Sequence, residues 1–224
     1  MLAALRDFSK LIFPNVCAGC NRPLLKTEDA ICLHCQTSLP TRLNFKREEL
    51  IQRFYGRIKL AEAYGFLLFK NKGLTQKLLH AIKYKANKEL AIELGLMFGT
   101  HCKELNLFST VDVIVPIPLH KSKLRLRGFN QSALIAKGMA EGLGIEMNSE
   151  AIIRNVKTTT QTKKNRMQRW KNVDKTFAVV SNSLENKHVL LLDDVITTGA
   201  TIESCGQAIL DSNTTLSVAC LAIA

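Results

Sequence analysis

From Val189 to Leu192 four consecutive positions are apolar, and two acids, Asp193 and Asp194, follow directly. A strand that is apolar at every position must be covered on both faces, which is the condition of a central strand in a parallel sheet. Next comes Val195-Ile196-Thr197-Thr198-Gly199-Ala200-Thr201, small and hydroxylated residues that turn tightly and expose backbone N–H groups, with a helix predicted from about Thr201. Ligands of open parallel sheets bind beyond the carboxyl ends of the strands. The segment therefore sets two carboxylates beside an anion cradle. The loop N–H groups and the positive end of the helix suit one phosphate. The aspartates stand too close to that phosphate to bind it, and suit vicinal hydroxyls or a magnesium ion. An apolar strand ending in two acids also occurs in ATPases, but there it needs a Gly-Lys-Ser/Thr loop, and the chain contains no Gly-Lys pair. A strand–turn–helix corner with a solvated acid pair is the plain structural alternative.

The rest of the chain repeats the same grammar. Strand-like runs fall at 63–69, 111–116, 151–156 and 216–223. Helical spacing links Leu74, Leu78, Leu79 and Ile82, and then Leu90, Leu94, Met97 and Phe98. Asn130 is placed to cap a helix that runs to Leu143 and ends at Gly144. Strands alternating with helices predict an α/β fold with a mainly parallel sheet flanked by helices. Residues 1–13 read as a short amphipathic helix ended by Pro14, residues 41–57 as a polar connector, and residues 157–175 as a basic stretch. The chain divides into a small module over 1–45 and one medium domain over 46–224.

Four of the seven cysteines form two close pairs, Cys17-x2-Cys20 and Cys32-x2-Cys35, 11 residues apart. Each pair can chelate through one tight turn, and four thiolates complete a tetrahedral zinc site with no open position, so the site reads as structural. His34 inside the second pair is a bystander to a set already closed. A segment this small has too little core to fold without metal. Cys102, Cys205 and Cys220 fall in helix or strand patterns and read as buried small hydrophobes. Apolar runs are too short to predict a membrane helix, and the reading is a cytoplasmic protein with no membrane insertion. Lys and Arg outnumber Asp and Glu by 31 to 19. That excess favours polyanionic partners, either nucleic acid or a small phosphorylated ligand, with a solvated basic surface as the alternative.

The aspartate–loop segment resembles the signature of type I phosphoribosyltransferases. The resemblance narrows to the ComF family through Val115-Pro-Ile-Pro-Leu-His120 followed by Arg127-Gly128-Phe129-Asn130-Gln131, and through Gln161-Thr162, Arg169, Asn172 and Phe177. The cysteine pairs and Lys83-Tyr84 fit as well. The resemblance implies a phosphoribosyltransferase-like domain carrying a zinc-ribbon-like N-terminal module. It implies that Asp193 and Asp194 are catalytic and contact the ribose hydroxyls, while Thr197, Thr198, Gly199, Ala200 and Thr201 hold the 5′-phosphate of phosphoribosyl pyrophosphate. The segment after Pro118, with His120, Lys121, Lys123, Arg125, Arg127 and Gly128, becomes the pyrophosphate loop, where charge-assisted bonds are at hand. Residues 154–175 become a mobile hood carrying Gln161, Lys163, Lys164, Arg166 and Arg169, although the family has small or apolar residues where Lys163 and Lys164 stand.

Two functions follow. One is binding of magnesium–phosphoribosyl pyrophosphate, leaning to an enzyme that passes ribosyl phosphate to an unidentified acceptor, with a role in natural competence and DNA uptake. The other is a non-catalytic single-stranded DNA-binding competence factor, partnered with DNA-uptake proteins, whose pocket is regulatory or takes DNA phosphates. Thr197 stands where purine-salvage enzymes of the superfamily carry an aspartate, and a threonine has no matching acid–base capacity near neutral pH. Little transfer to hypoxanthine or guanine is therefore expected, with orotate the more serious acceptor.

Overall fold

The computed structural model describes residues 15–41, 48–154, 176–180, 182–211 and 213–224. Five strands, β1 (Ala63–Leu68), β2 (Val113–Pro116), β3 (Glu146–Met147), β6 (His188–Ile196) and β7 (Thr215–Ile223), form one sheet in the order β1-β7-β6-β2-β3. Every pairing in it is parallel. Neighbouring strands β6 and β7 carry its longest buried runs, Val189–Leu192 and Leu216–Ile223, as burial on both faces requires.

One face is covered by α3 (Leu74–Tyr84), α4 (Lys88–Glu104) and α6 (Gln131–Leu143), with Leu190 and Leu192 packed among them. The other face carries α7 (Ala200–Leu210), to which Val189 and Leu191 turn. The alternation breaks at the two aspartates: beyond them Val195 joins the first face and Ile196 the second. Asn130 caps α6 through its side chain, and Gly144 closes it at φ +76°.

Helices α4 and α6 meet along a seam of glycines. A Cβ on Gly95 would stand 2.2 Å from the Ile135 carbonyl oxygen, and one on Gly138 would stand 2.0 Å from that of Ile92. Only hydrogen at these positions allows backbone to rest on backbone.

The amino end of the sheet is closed by a polar network. The ring nitrogens of His188 hydrogen-bond the hydroxyls of Thr110, at 2.9 Å, and Ser217, at 2.8 Å. The Ser217 hydroxyl also accepts from Glu62 N–H. His188 N–H donates to Asp112 Oδ2 at 2.7 Å, and Phe108 N–H donates to Glu62 Oε2 at 2.9 Å.

Residues 15–41 fold around the cysteines, with the short α1 (Leu33–Thr37) carrying Cys35. Cys17, Ile31, Cys35 and Leu39 share the core of α3 and α4. Glu93 of α4 reaches into the module, accepting from Ala30 N–H and Gln36 Nε2 at 2.9 and 3.0 Å. Burial there raises the Glu93 pKa.

The structure departs from the sequence reading in four places. The aspartates lie inside β6, which runs on to Ile196, because β7 is equally long and keeps pairing beside it. The connector holds α2 (Glu48–Gln52) and a following turn, anchored by Leu50 and Phe54, which are both fully buried. The segment after Pro118 is not a loop but α5 (Lys121–Arg127). Strong helix formers fill it, the His120 side chain accepts from Ser122 N–H at its start, and Gly128 ends it at φ +77°. Strand β4 (Ile152–Arg154) leaves the parallel sheet and pairs antiparallel with β5 (Phe177–Val179).

Candidate functional site

The two aspartates sit near the carboxyl end of β6, and both find partners on helices of the same layer. Asp193 Oδ1 accepts from the Ser132 hydroxyl at 3.1 Å and from Asp194 N–H at 2.8 Å. Asp194 Oδ2 pairs with Lys83 Nζ at 2.7 Å, at the end of α3. Burial, reinforced by the charge of Asp194, pushes the Asp193 pKa up to about 7 against the opposing hydrogen bonds and Lys83. One acid is thus a clamped carboxylate, and its neighbour keeps a proton within reach of neutrality.

The loop leaving β6 turns through Thr197 and Thr198 into Gly199, which precedes α7 at φ +78°. Only glycine adopts that conformation readily. Space demands it too, since a Cβ there would stand 2.7 Å from the ring of Phe54. The backbone N–H groups of Thr198 and Gly199 have no acceptor among the described residues, and the start of an 11-residue helix adds its positive end. Thr198 Oγ1 accepts, at 3.4 Å, from Ala200 N–H. Thr197, Ala200 and Thr201 are exposed beside it. Behind the loop, Arg53 and Arg57 donate to its carbonyl groups.

No residue of α5 is buried, and Leu126 is 82% exposed. Lys121, Lys123 and Arg125 are exposed, while His120 and Arg127 are half-buried. His120 Nδ1 is engaged by Ser122. The Arg127 guanidinium lies 5.7 Å from the centre of the exposed Tyr84 ring, one residue from Lys83. Arg127 Nε and Gln131 Nε2 are buried without a partner among the described residues. Strand β4 ends at Arg154, the first residue of the predicted hood, and β5 begins just beyond the hood, with Arg154 5.2 Å from the centre of the Phe177 ring. Gln161, Lys163, Lys164, Arg166 and Arg169 lie outside the described residues.

The sulfur atoms of Cys17, Cys20, Cys32 and Cys35 all lie within 4.8 Å of one another, a cluster that could hold a metal ion such as zinc. Cys20 and Cys32 sulfurs are 3.7 Å apart, and tetrahedral thiolates about 2.3 Å from a zinc ion would be about 3.8 Å apart. Gly19 and Cys32 donate N–H groups to Cys17 Sγ. Burial works against the Cys17 thiolate, but these backbone bonds prevail and hold its pKa at about 7. His34 stays exposed outside the cluster. Cys102, Cys205 and Cys220 are buried, and burial raises the first two thiols far above their ordinary range. A cleft of about 450 Å³ opens where the cysteine module meets the turn between α3 and α4, lined by Cys17, Ala81, Lys85 and Lys88 among others, away from the aspartates.

Sequence reasoning missed Ser132, Arg53 and Arg57, and took Lys83 only as part of a resemblance. Lys83 stands at the end of a helical pattern that offered a hint. Nothing in the sequence ties Arg53 or Arg57 to a loop more than 140 positions away.

No helix among the described residues is long and apolar enough to cross a membrane, and no family model matches the chain. DNA utilization protein YhgH of Escherichia coli O157:H7 is 30% identical over 216 residues, covering 92% of this chain and 89% of that protein. Competence protein ComFC of Bacillus subtilis (strain 168) is 26% identical over 218 residues, covering 95% and 79%. Among solved structures, adenine phosphoribosyltransferase from Saccharomyces cerevisiae is similar at 18% identity with a TM-score of 0.38, over 70% of this chain and 72% of that one.

Proposed function

The chain belongs to the family of the DNA utilization protein YhgH and the ComF competence proteins, and from that premise we propose that it serves DNA uptake while binding magnesium–phosphoribosyl pyrophosphate at the carboxyl end of its sheet. The observation that carries this is the pairing of Asp193 and Asp194 with a free-amide loop that opens α7. The loop N–H groups and the helix start receive the 5′-phosphate. The carboxylates accept from the two ribose hydroxyls, and Lys83 gives way as they do. Helix α5 follows β2, the neighbour of β6, and on this reading its Arg127 and lysines add charge-assisted bonds to the pyrophosphate group. Adjacent carboxylates are hard oxygen donors that fit magnesium when most of its other ligands come from the pyrophosphate and water. Magnesium bound there supplies charge neutralisation for a departing pyrophosphate. Thr197 offers a hydroxyl and no general base, which supports the expectation that purines are poor acceptors.

Calorimetry with magnesium–phosphoribosyl pyrophosphate tests the site. Saturable one-to-one binding is expected in the wild type, and its absence would remove the reading. Pyrophosphate release over a panel containing orotate, hypoxanthine and guanine then separates transfer from binding alone.

A second reading, binding of single-stranded DNA, is supported by the outward-facing basic helix α5 beside the Arg127–Tyr84 pair. It extends to Lys163, Lys164, Arg166 and Arg169. Replacing those four by alanine should flatten the log–log dependence of DNA affinity on salt by about 0.7 for each phosphate no longer neutralised. An unchanged slope would take the hood out of the DNA-binding surface.

A further inference from the structure

We infer that Arg53 and Arg57, contributed by the turn after α2, are positioning residues that aim the backbone amides of the 197–199 loop at the bound phosphate. The inference rests on reading that loop as the phosphate cradle.

Arg53 Nη1 donates to the Thr197 carbonyl at 3.3 Å, and also to the Ala224 carbonyl at 3.1 Å. Arg57 Nη1 donates to the Thr198 carbonyl at 3.0 Å. The peptide units concerned are trans. In a planar trans unit the C=O of one residue and the N–H of the next point in opposite directions. Drawing the Thr197 and Thr198 carbonyls back to the arginines therefore turns the N–H groups of Thr198 and Gly199 the other way. Neither of those amides has an acceptor among the described residues.

The braces are themselves held. Arg57 is fixed through Nε, 2.9 Å from Glu203 Oε2 on α7, and through a second bond from Nη2 to the same oxygen. Its guanidinium lies over the Phe54 ring, whose edge fills the space that a side chain at position 199 would need. Phe54 is fully buried, so α2 and its turn form a rigid backing plate for a loop that has no regular structure of its own. Preorganised amides spare the ligand the cost of ordering them when it binds.

Calorimetry and backbone-amide NMR on the full chain test the inference, with Mg–phosphoribosyl pyrophosphate as the probe. In the wild type, the Thr198 and Gly199 amide protons should move downfield on ligand addition. Arg57→Ala should lose the Gly199 shift and bind about ten-fold more weakly, the worth of a hydrogen bond to a charged group. Arg53→Ala should do the same for Thr198, and Arg57→Lys, which keeps a charged donor, should recover part of the affinity. If Arg57→Ala does not fold, Glu203→Gln loosens the same arginine and should give a smaller loss of the same kind. Folded variants that bind as tightly as wild type, with both amide shifts intact, would overturn the brace. Failure of the wild type to bind would instead overturn the phosphate reading. The brace then stands or falls on the unliganded spectrum, where Arg57→Ala must displace the Gly199 amide resonance and leave those of β7 in place.

Discussion

At the amino end of the sheet His188, Ser217, Glu62 and Asp112 satisfy one another and the strand ends around them. At the carboxyl end similar residue types are left in tension. The Asp193 pKa is pushed up to about 7, and Asp194 is held by Lys83. The amides of Thr198 and Gly199 and the side-chain nitrogen of Gln131 lack partners among the described residues. A buried polar group costs little when paired and one to a few kcal/mol when not. The amino end is therefore a finished joint, and the carboxyl end keeps unspent hydrogen-bonding capacity, which the proposed function assigns to a ligand. Polar residues alone do not separate a functional end from a structural one; the state of their partners does.

The comparison can be broken or sharpened by substitution. The largest effect should come from a region belonging to neither end. Cys35→Ser should lose about one equivalent of metal and destabilise the chain by roughly 5 kcal/mol or more, because the cysteine module shares the core of α3 and α4. Metal analysis and thermal unfolding check this, and full metal loss at unchanged Tm would remove the structural role. Next, Asp194→Asn should weaken magnesium–phosphoribosyl pyrophosphate binding about 100-fold, close to 3 kcal/mol, and leave the fold intact. Equal affinity by calorimetry would show that the tension at this end serves no such ligand. At the opposite end, Ser217→Ala should cost about 2 kcal/mol in denaturant unfolding by stranding His188 and Glu62, with ligand affinity untouched. A loss of affinity there would couple two ends that the comparison treats as independent.

The smallest effect is the most discriminating. Folded Asp193 keeps its proton up to about pH 7, whereas an unfolded aspartate releases it near 3.8. Between those values the native state binds the extra proton, so its stability falls as pH rises through that window and stays low above it. Asp193→Asn removes the penalty. Its Tm should exceed that of wild type by a few degrees at pH 8 and match it near pH 3.5, while ligand affinity falls. For the wild type, affinity should rise with pH across neutrality as the carboxylate forms. A pH-independent difference in Tm would locate the strain elsewhere.

Much of this was legible in the sequence because it is local. The all-apolar run 189–192, the cap at Asn130 and the cysteine spacing each declare themselves within a few residues. What was missed depends on distance or on competition. The extent of β6 beyond Asp193 is set by pairing with β7, and α5 was hidden by charge that reads equally as a loop. Strand β3, two residues long, carries no periodicity. Ser132, Arg53 and Arg57 acquire their partners only when elements far apart in the chain are brought together by the sheet. The division of the acids into a clamped and a protonated member follows from burial and a lysine on α3, neither of which the dipeptide encodes.

The glycine seam between α4 and α6 has a mechanical consequence. Helices that touch through side chains can slide past one another by small rotamer changes, which is how shear motions in proteins proceed. Gly95 and Gly138 leave no side chains at their crossings to re-pack, and each backbone sits in the notch of the other. The pair behaves as one stiff slab under the sheet, without a slip plane. Any change of shape on ligand entry must then be taken up by parts that are not keyed into it, foremost α5, which has no buried residue and is bounded by His120 and Gly128.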